Sequence, residues 1–130
     1  MASRLEAIPL WTAAAVAQGA TLTSAIISCR FSDPEFLMIQ VTAAGENADI
    51  KIEYVISNDG ITFNDAAEQD DILPSTATEF ASPKAPEALH VINCPSAPWI
   101  RILVTEATGT NDATLVTATL WMRTDVAEVR

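Results

Sequence analysis

Apolar and polar residues alternate with a period of two along most of the chain. In residues 49–57, Ile50, Ile52, Tyr54 and Ile56 fall on one side, and Lys51, Glu53 and Val55 on the other. Successive side chains of extended backbone point to opposite faces, so this pattern predicts a half-buried strand. The run stops at Ser57-Asn58-Asp59-Gly60. Asn and Asp hydrogen-bond their own backbone, and Gly accepts a positive φ. The pattern predicts a hairpin, with Ile61-Thr62-Phe63 as its return strand.

The same reading places a strand over residues 36–42, with Leu37, Ile39 and Val41 inward, and another over 99–106, with Ile100, Ile102 and Val104 inward. A long Thr-rich strand covers 113–123, with Val116, Ala118, Leu120 and Met122 together. Shorter strands are expected at 21–28 and 89–93, and an edge strand near Ile72 or Phe80 within the irregular stretch 66–88. Pro34, Pro74, Pro83, Pro86, Pro95 and Pro98 fall between these runs, where a missing N–H costs no ladder bond. Seven or eight short strands with regular turn signals predict an all-β fold: one antiparallel β-sandwich, jelly-roll or Ig-like, over residues 21–130.

Residues 1–20 fit that alternation poorly. Ser3-Arg4-Leu5-Glu6 reads as the start of a helical turn, and Ala13 to Ala17 has helix propensity ended by Gly19. The expectation is an N-terminal arm that orders against a neighbouring molecule, with Ile8, Leu10 and Trp11 as assembly contacts. On that view, removal of residues 1–18 leaves a folded monomer that no longer assembles. Arg4 and Ala15-Val16-Ala17 loosely imitate a secretion signal, but Glu6 and Pro9 interrupt it, so no cleaved leader is expected.

Composition narrows the function classes. The 130 residues are 49% hydrophobic and 18% charged, which fits one domain with a real core. Seven Lys and Arg stand against seventeen Asp and Glu, a net charge of −10, and the cations are scattered. Nucleic-acid binding needs clustered cations to displace counterions, so no nucleic-acid partner is expected. No uncharged apolar run reaches the roughly 18 residues of a spanning helix, so no membrane partner is expected either. Cys29 and Cys94 read as buried reduced thiols, with one bridge as the alternative.

No catalytic constellation is present in the sequence, and the expectation is a non-enzyme without cofactor or metal. His90 is the single histidine and has no local orienting partner. Glu68, Asp70 and Asp71 lack the spacing of a calcium loop and read as a solvated acidic loop. Trp11, Trp99 and Trp121 read as packing residues, with sugar stacking as the alternative for the last two.

Five segments carry a resemblance. They are Ser24-Ala25-Ile26-Ile27, the strand Phe36-Leu37-Met38-Ile39-Gln40-Val41, the hairpin Ser57-Asn58-Asp59-Gly60-Ile61-Thr62-Phe63, the strand Trp99-Ile100-Arg101-Ile102-Leu103-Val104-Thr105, and a last strand containing Thr117-Ala118-Thr119-Leu120. Their order, over roughly residues 20–123, resembles small β-sandwich virion proteins of tailed bacteriophages. That resemblance implies a structural role as a head decoration, or cement, protein that binds and stabilises the head lattice. The partners it implies are the major capsid protein, neighbouring virion subunits and further copies of the chain. It also implies assembly in the host cytoplasm and a final location in the virion. The hairpin and the Trp99 strand are similar to discoidin-like and carbohydrate-binding sandwiches too. The alternative is therefore a carbohydrate-binding or head–tail or tail-associated adhesion module.

Overall fold

The alternating runs form the strands that their period dictates. The computed structural model describes residues 2–29, 32–44, 48–66, 72, 79–80, 90–91, 97–107 and 112–126. Within them lie strands β1 (Ala2–Val16), β2 (Thr21–Thr23), β3 (Ile27–Ser28), β4 (Ser32–Ala44), β5 (Ala48–Ser57), β6 (Glu79–Phe80), β7 (His90–Val91), β8 (Trp99–Glu106) and β9 (Ala113–Val126). They make two antiparallel sheets. One has the order β1-β9-β4-β7; the other has β2-β8-β5-β6, with β3 also on β8.

That order distinguishes between the two expected sandwiches. β2 and β3 lie one after the other along β8, Thr21 opposite Thr105 and Ser28 opposite Trp99, so they act as one interrupted strand. Counted that way, the sheets hold four strands each, and every connection except β5 to β6 crosses between them. This is the double-sheet jelly-roll arrangement. Even β8 and β9, close in sequence, lie in opposite sheets.

The core fills the space between the sheets. Leu37, Ile39, Val41, Val116, Ala118, Leu120 and Met122 come from one sheet, and Ile50, Ile52, Tyr54, Ile100, Ile102 and Val104 from the other. These inward sets match the alternation in the sequence. Burying each large aliphatic side chain is worth roughly 1.5 to 3 kcal/mol. Glu106 continues the inward row of β8 and is fully buried, at 0% exposure, with its N–H donating to the Ala20 carbonyl (3.0 Å).

Residues 2–16 correct the expected arm. They are strand β1, paired with β9 from Ala2 opposite Val126 to Val16 opposite Ala113. Val16 belongs to the core, and Ile8, Leu10 and Trp11 are half-buried against it. The expected assembly contacts therefore have an intrachain packing role. Alanine favours helix more than any other residue, but intrinsic propensity is a weak constraint beside tertiary pairing, and pairing with β9 overrides it. Pro9 is tolerated because β1 is an edge strand. Register shifts between Pro9 and Val16, with Ala13 at φ 49°, bend the second half of the strand. The Ala13 N–H donates to Thr117 Oγ1 (3.0 Å).

Candidate functional site

The best-defined surface feature is the loop that leaves β5 at the end of its sheet. Its geometry follows from Ser57, Asp59, Gly60 and Trp99. Ser57 Oγ donates to Asp59 Oδ1 (2.8 Å) and accepts the N–H of Gly60 (2.9 Å). Asp59 Oδ1 also accepts the N–H groups of Ile61 and Thr62, both at 2.8 Å. Gly60 has φ +75°, and a Cβ there would stand 3.3 Å from the Trp99 indole. Only glycine suits both demands, the positive φ and the close approach. Trp99 is thus half-buried beneath the turn.

The return limb is not the expected strand. Residues 61–65 are irregular, and Ile61 is 83% exposed. Asn64 replaces the ladder instead. Its Oδ1 accepts the Ile56 N–H (2.8 Å), and its own N–H donates to the Ile56 carbonyl (3.1 Å). One residue thereby satisfies both backbone groups of Ile56. The Ile72 N–H covers the Ile52 carbonyl further along (2.9 Å). These contacts blunt an edge that would otherwise be open to pairing.

Ser24 uses the same device where β2 gives way to β3. Its N–H donates to the Ile102 carbonyl (2.9 Å), while its Oγ, in place of its carbonyl, accepts the Ile102 N–H (2.9 Å). The displaced Ser24 carbonyl accepts from Arg101 Nε (3.0 Å). The Arg101 guanidinium also sits 5.8 Å from the centroid of the Phe63 ring, a cation–π distance. Arg101 therefore ties the Ser24 break to the return limb of the loop. Beside these groups is an open cleft of about 440 Å³, lined by Ile56, Ser57, Asn58, Asp59, Thr62, Phe63 and Asn64.

The loop displaces the ionisation of Asp59. The N–H groups of Thr62 and Ile61, and then the Ser57 hydroxyl, stabilise the carboxylate and lower its pKa from 3.8 to about 2. A carboxyl whose folded pKa is depressed stabilises the turn fully above its ordinary value. That stabilisation is lost as the pH falls towards about 2. On acid titration followed by NMR, the Ile61 and Thr62 amide shifts will move with a midpoint near 2. A midpoint near 4 would show that these bonds are absent in solution.

The other sequence candidates are dispersed. Trp121 lies on the outer face of its sheet, in register with Ala7 on one side and Met38 on the other. It is half-buried, and its Nε1 is enclosed without a hydrogen-bond partner. His90 is in β7 opposite Ile39, on the other sheet from the loop. Cys29 is half-buried against the core, and its N–H donates to the Pro98 carbonyl (2.8 Å). Cys94 and the acidic run Glu68, Asp70 and Asp71 lie outside the described residues. Among the described residues, no three His, Cys, Asp or Glu side chains gather as a metal site.

Sequence reading identified the Ser57–Gly60 turn but missed Asn64, Ser24 and Arg101. Their roles depend on which strands become neighbours, which a local pattern does not carry. What the arrangement offers chemically is a rigid, hydrogen-bonded rim with one cation and one aromatic ring. No known protein family matches the chain, and no curated protein matches it.

Proposed function

We propose that the chain is a structural subunit of a bacteriophage virion, a decoration or cement protein that binds and stabilises the head lattice. The observation carrying this reading is the jelly-roll strand order. That architecture serves viral capsids and lectins, where rigid sheets present edges and loops for docking. The motif order in the sequence supports the same reading. The partners are the major capsid protein or neighbouring virion subunits, and the site of action is the particle. In a gradient of purified particles, the chain will sediment with intact heads, and heads lacking it will release DNA at a lower temperature. Recovery wholly away from particles would reject the reading.

A second reading rests on the cleft beside Phe63 and Arg101. An aromatic face with adjacent amide and carboxylate groups suits a sugar ring, which makes a carbohydrate-binding adhesion module the alternative. A glycan array probed with the purified chain separates the two readings. Saturable binding to one glycan class that Phe63→Ala abolishes would favour the second.

A further inference from the structure

β1 leaves one edge of its sheet open: among the described residues, no strand pairs with its outer side. Residues 2–9 run in unbroken register with β9, and the irregular pairing begins only at Pro9. Proteins usually blunt such an edge with prolines, bulges or inward charges. Here Pro9 and the register shifts blunt the second half of the strand, and the first half is left with one pair of inward-side charges, Arg4 and Glu6, in line with Ile8. The straight half carries Leu5, 51% exposed, and exposed Ala7. Arg4 and Glu6 flank Leu5 and form an ion pair with each other.

We propose that this edge pairs with the same edge of a second copy of the chain, antiparallel, about a two-fold axis through Leu5. Two four-stranded sheets then fuse into one continuous sheet. The charges select the register. A two-fold normal to the sheet keeps each side chain on its own face, so only positions of equal parity oppose one another. With the axis at Leu5, Leu5 faces its own copy and Arg4 faces Glu6 in both directions. Moving the axis by one residue towards the N-terminus sets Arg4 against Arg4; moving it the other way sets Glu6 against Glu6. Like charges directly opposite are destabilising, so both neighbouring registers are disfavoured. The Arg4–Glu6 contact within each chain becomes one side of a four-member array of alternating charge. The backbone ladder and Leu5 supply the affinity, and the charges supply specificity. This pairing stands on the edge itself and is independent of the virion reading.

The test is a charge exchange read by sedimentation equilibrium. The unaltered chain is expected to be a dimer. Arg4→Glu alone places like charges across the axis, as does Glu6→Arg alone, so each is expected to be monomeric. An equimolar mixture of the two restores both opposite-charge pairs and is expected to dimerise. A second arm does not depend on those variants folding. With Cys29→Ser and Cys94→Ser as background, Leu5→Cys will form an intermolecular disulfide readily. Ala7→Cys will not, because its copies lie well beyond the roughly 7 Å limit for bridging. The pairing is overturned by a monomeric unaltered chain at every concentration, by a mixture no more dimeric than its components, or by Ala7→Cys bridging as readily as Leu5→Cys.

Discussion

A chain lacking residues 2–16 will fail to fold. Deletion removes Val16 from the core and the partial burial of Ile8, Leu10 and Trp11. It also leaves β9, the strand that β1 pairs with, with an unpaired edge beside the core residues Val116, Ala118 and Leu120. At roughly 1.5 to 3 kcal/mol for each fully buried aliphatic side chain, even partial losses at these positions are large. They approach the whole stability of an ordinary domain, about 5 to 15 kcal/mol. Far-UV circular dichroism and amide dispersion in a proton–nitrogen correlation spectrum will report a disordered chain. A cooperative unfolding transition close to that of the full chain would mean that β1 is an appendage after all.

Leu120→Ala carries the second-largest expected effect, a loss of about 3 to 4 kcal/mol in urea unfolding. Leu120 is fully buried and central, since β9 lies between β1 and β4, with Ile8 and Ile39 as its register partners. Removing a large side chain from such a place loses transfer energy and leaves a cavity that paired neighbours cannot close. That combination typically costs about 2 to 5 kcal/mol. Thr119→Ala, one residue away on the outer face, changes stability by less than about 0.5 kcal/mol. Equal losses at both positions would mean that the inward and outward faces of β9 are misassigned.

These two expectations also mark what was legible from residue order. The inward rows of β5, β8 and β9 were legible because each is almost wholly apolar, whereas the opposite rows are broken by Lys51, Glu53, Arg101, Thr105, Thr117 and Thr119. The strand β1 was not, because Leu5, Ala7 and Pro9 on its outward side are as apolar as Ile8 and Leu10 inward, and Pro9 and the alanines argue locally against a strand. Its identity comes from β9, at the far end of the sequence from it. The return limb at Ile61 misled for the opposite reason. Alternation continues there in the sequence, but Asn64 satisfies Ile56 with a side chain and closes the edge without a second strand. Of the candidate site, the Ser57–Gly60 turn was legible from local chemistry. The juxtaposition of Arg101, Phe63 and Ser24 depends on strand order and was not.

Strand order is therefore the claim on which the rest depends, and β8 and β9 test it most directly. Two strands separated by a short connection would, by default, form a hairpin. The jelly roll instead places them in opposite sheets, with β8 on β5 and β9 between β1 and β4. Cross-strand Hα–Hα and amide nuclear Overhauser contacts decide between these arrangements. The jelly roll predicts contacts linking Ile8 and Ile39 to Leu120, and Ile52 to Val104. A ladder of contacts between residues 99–106 and 113–126 would contradict it.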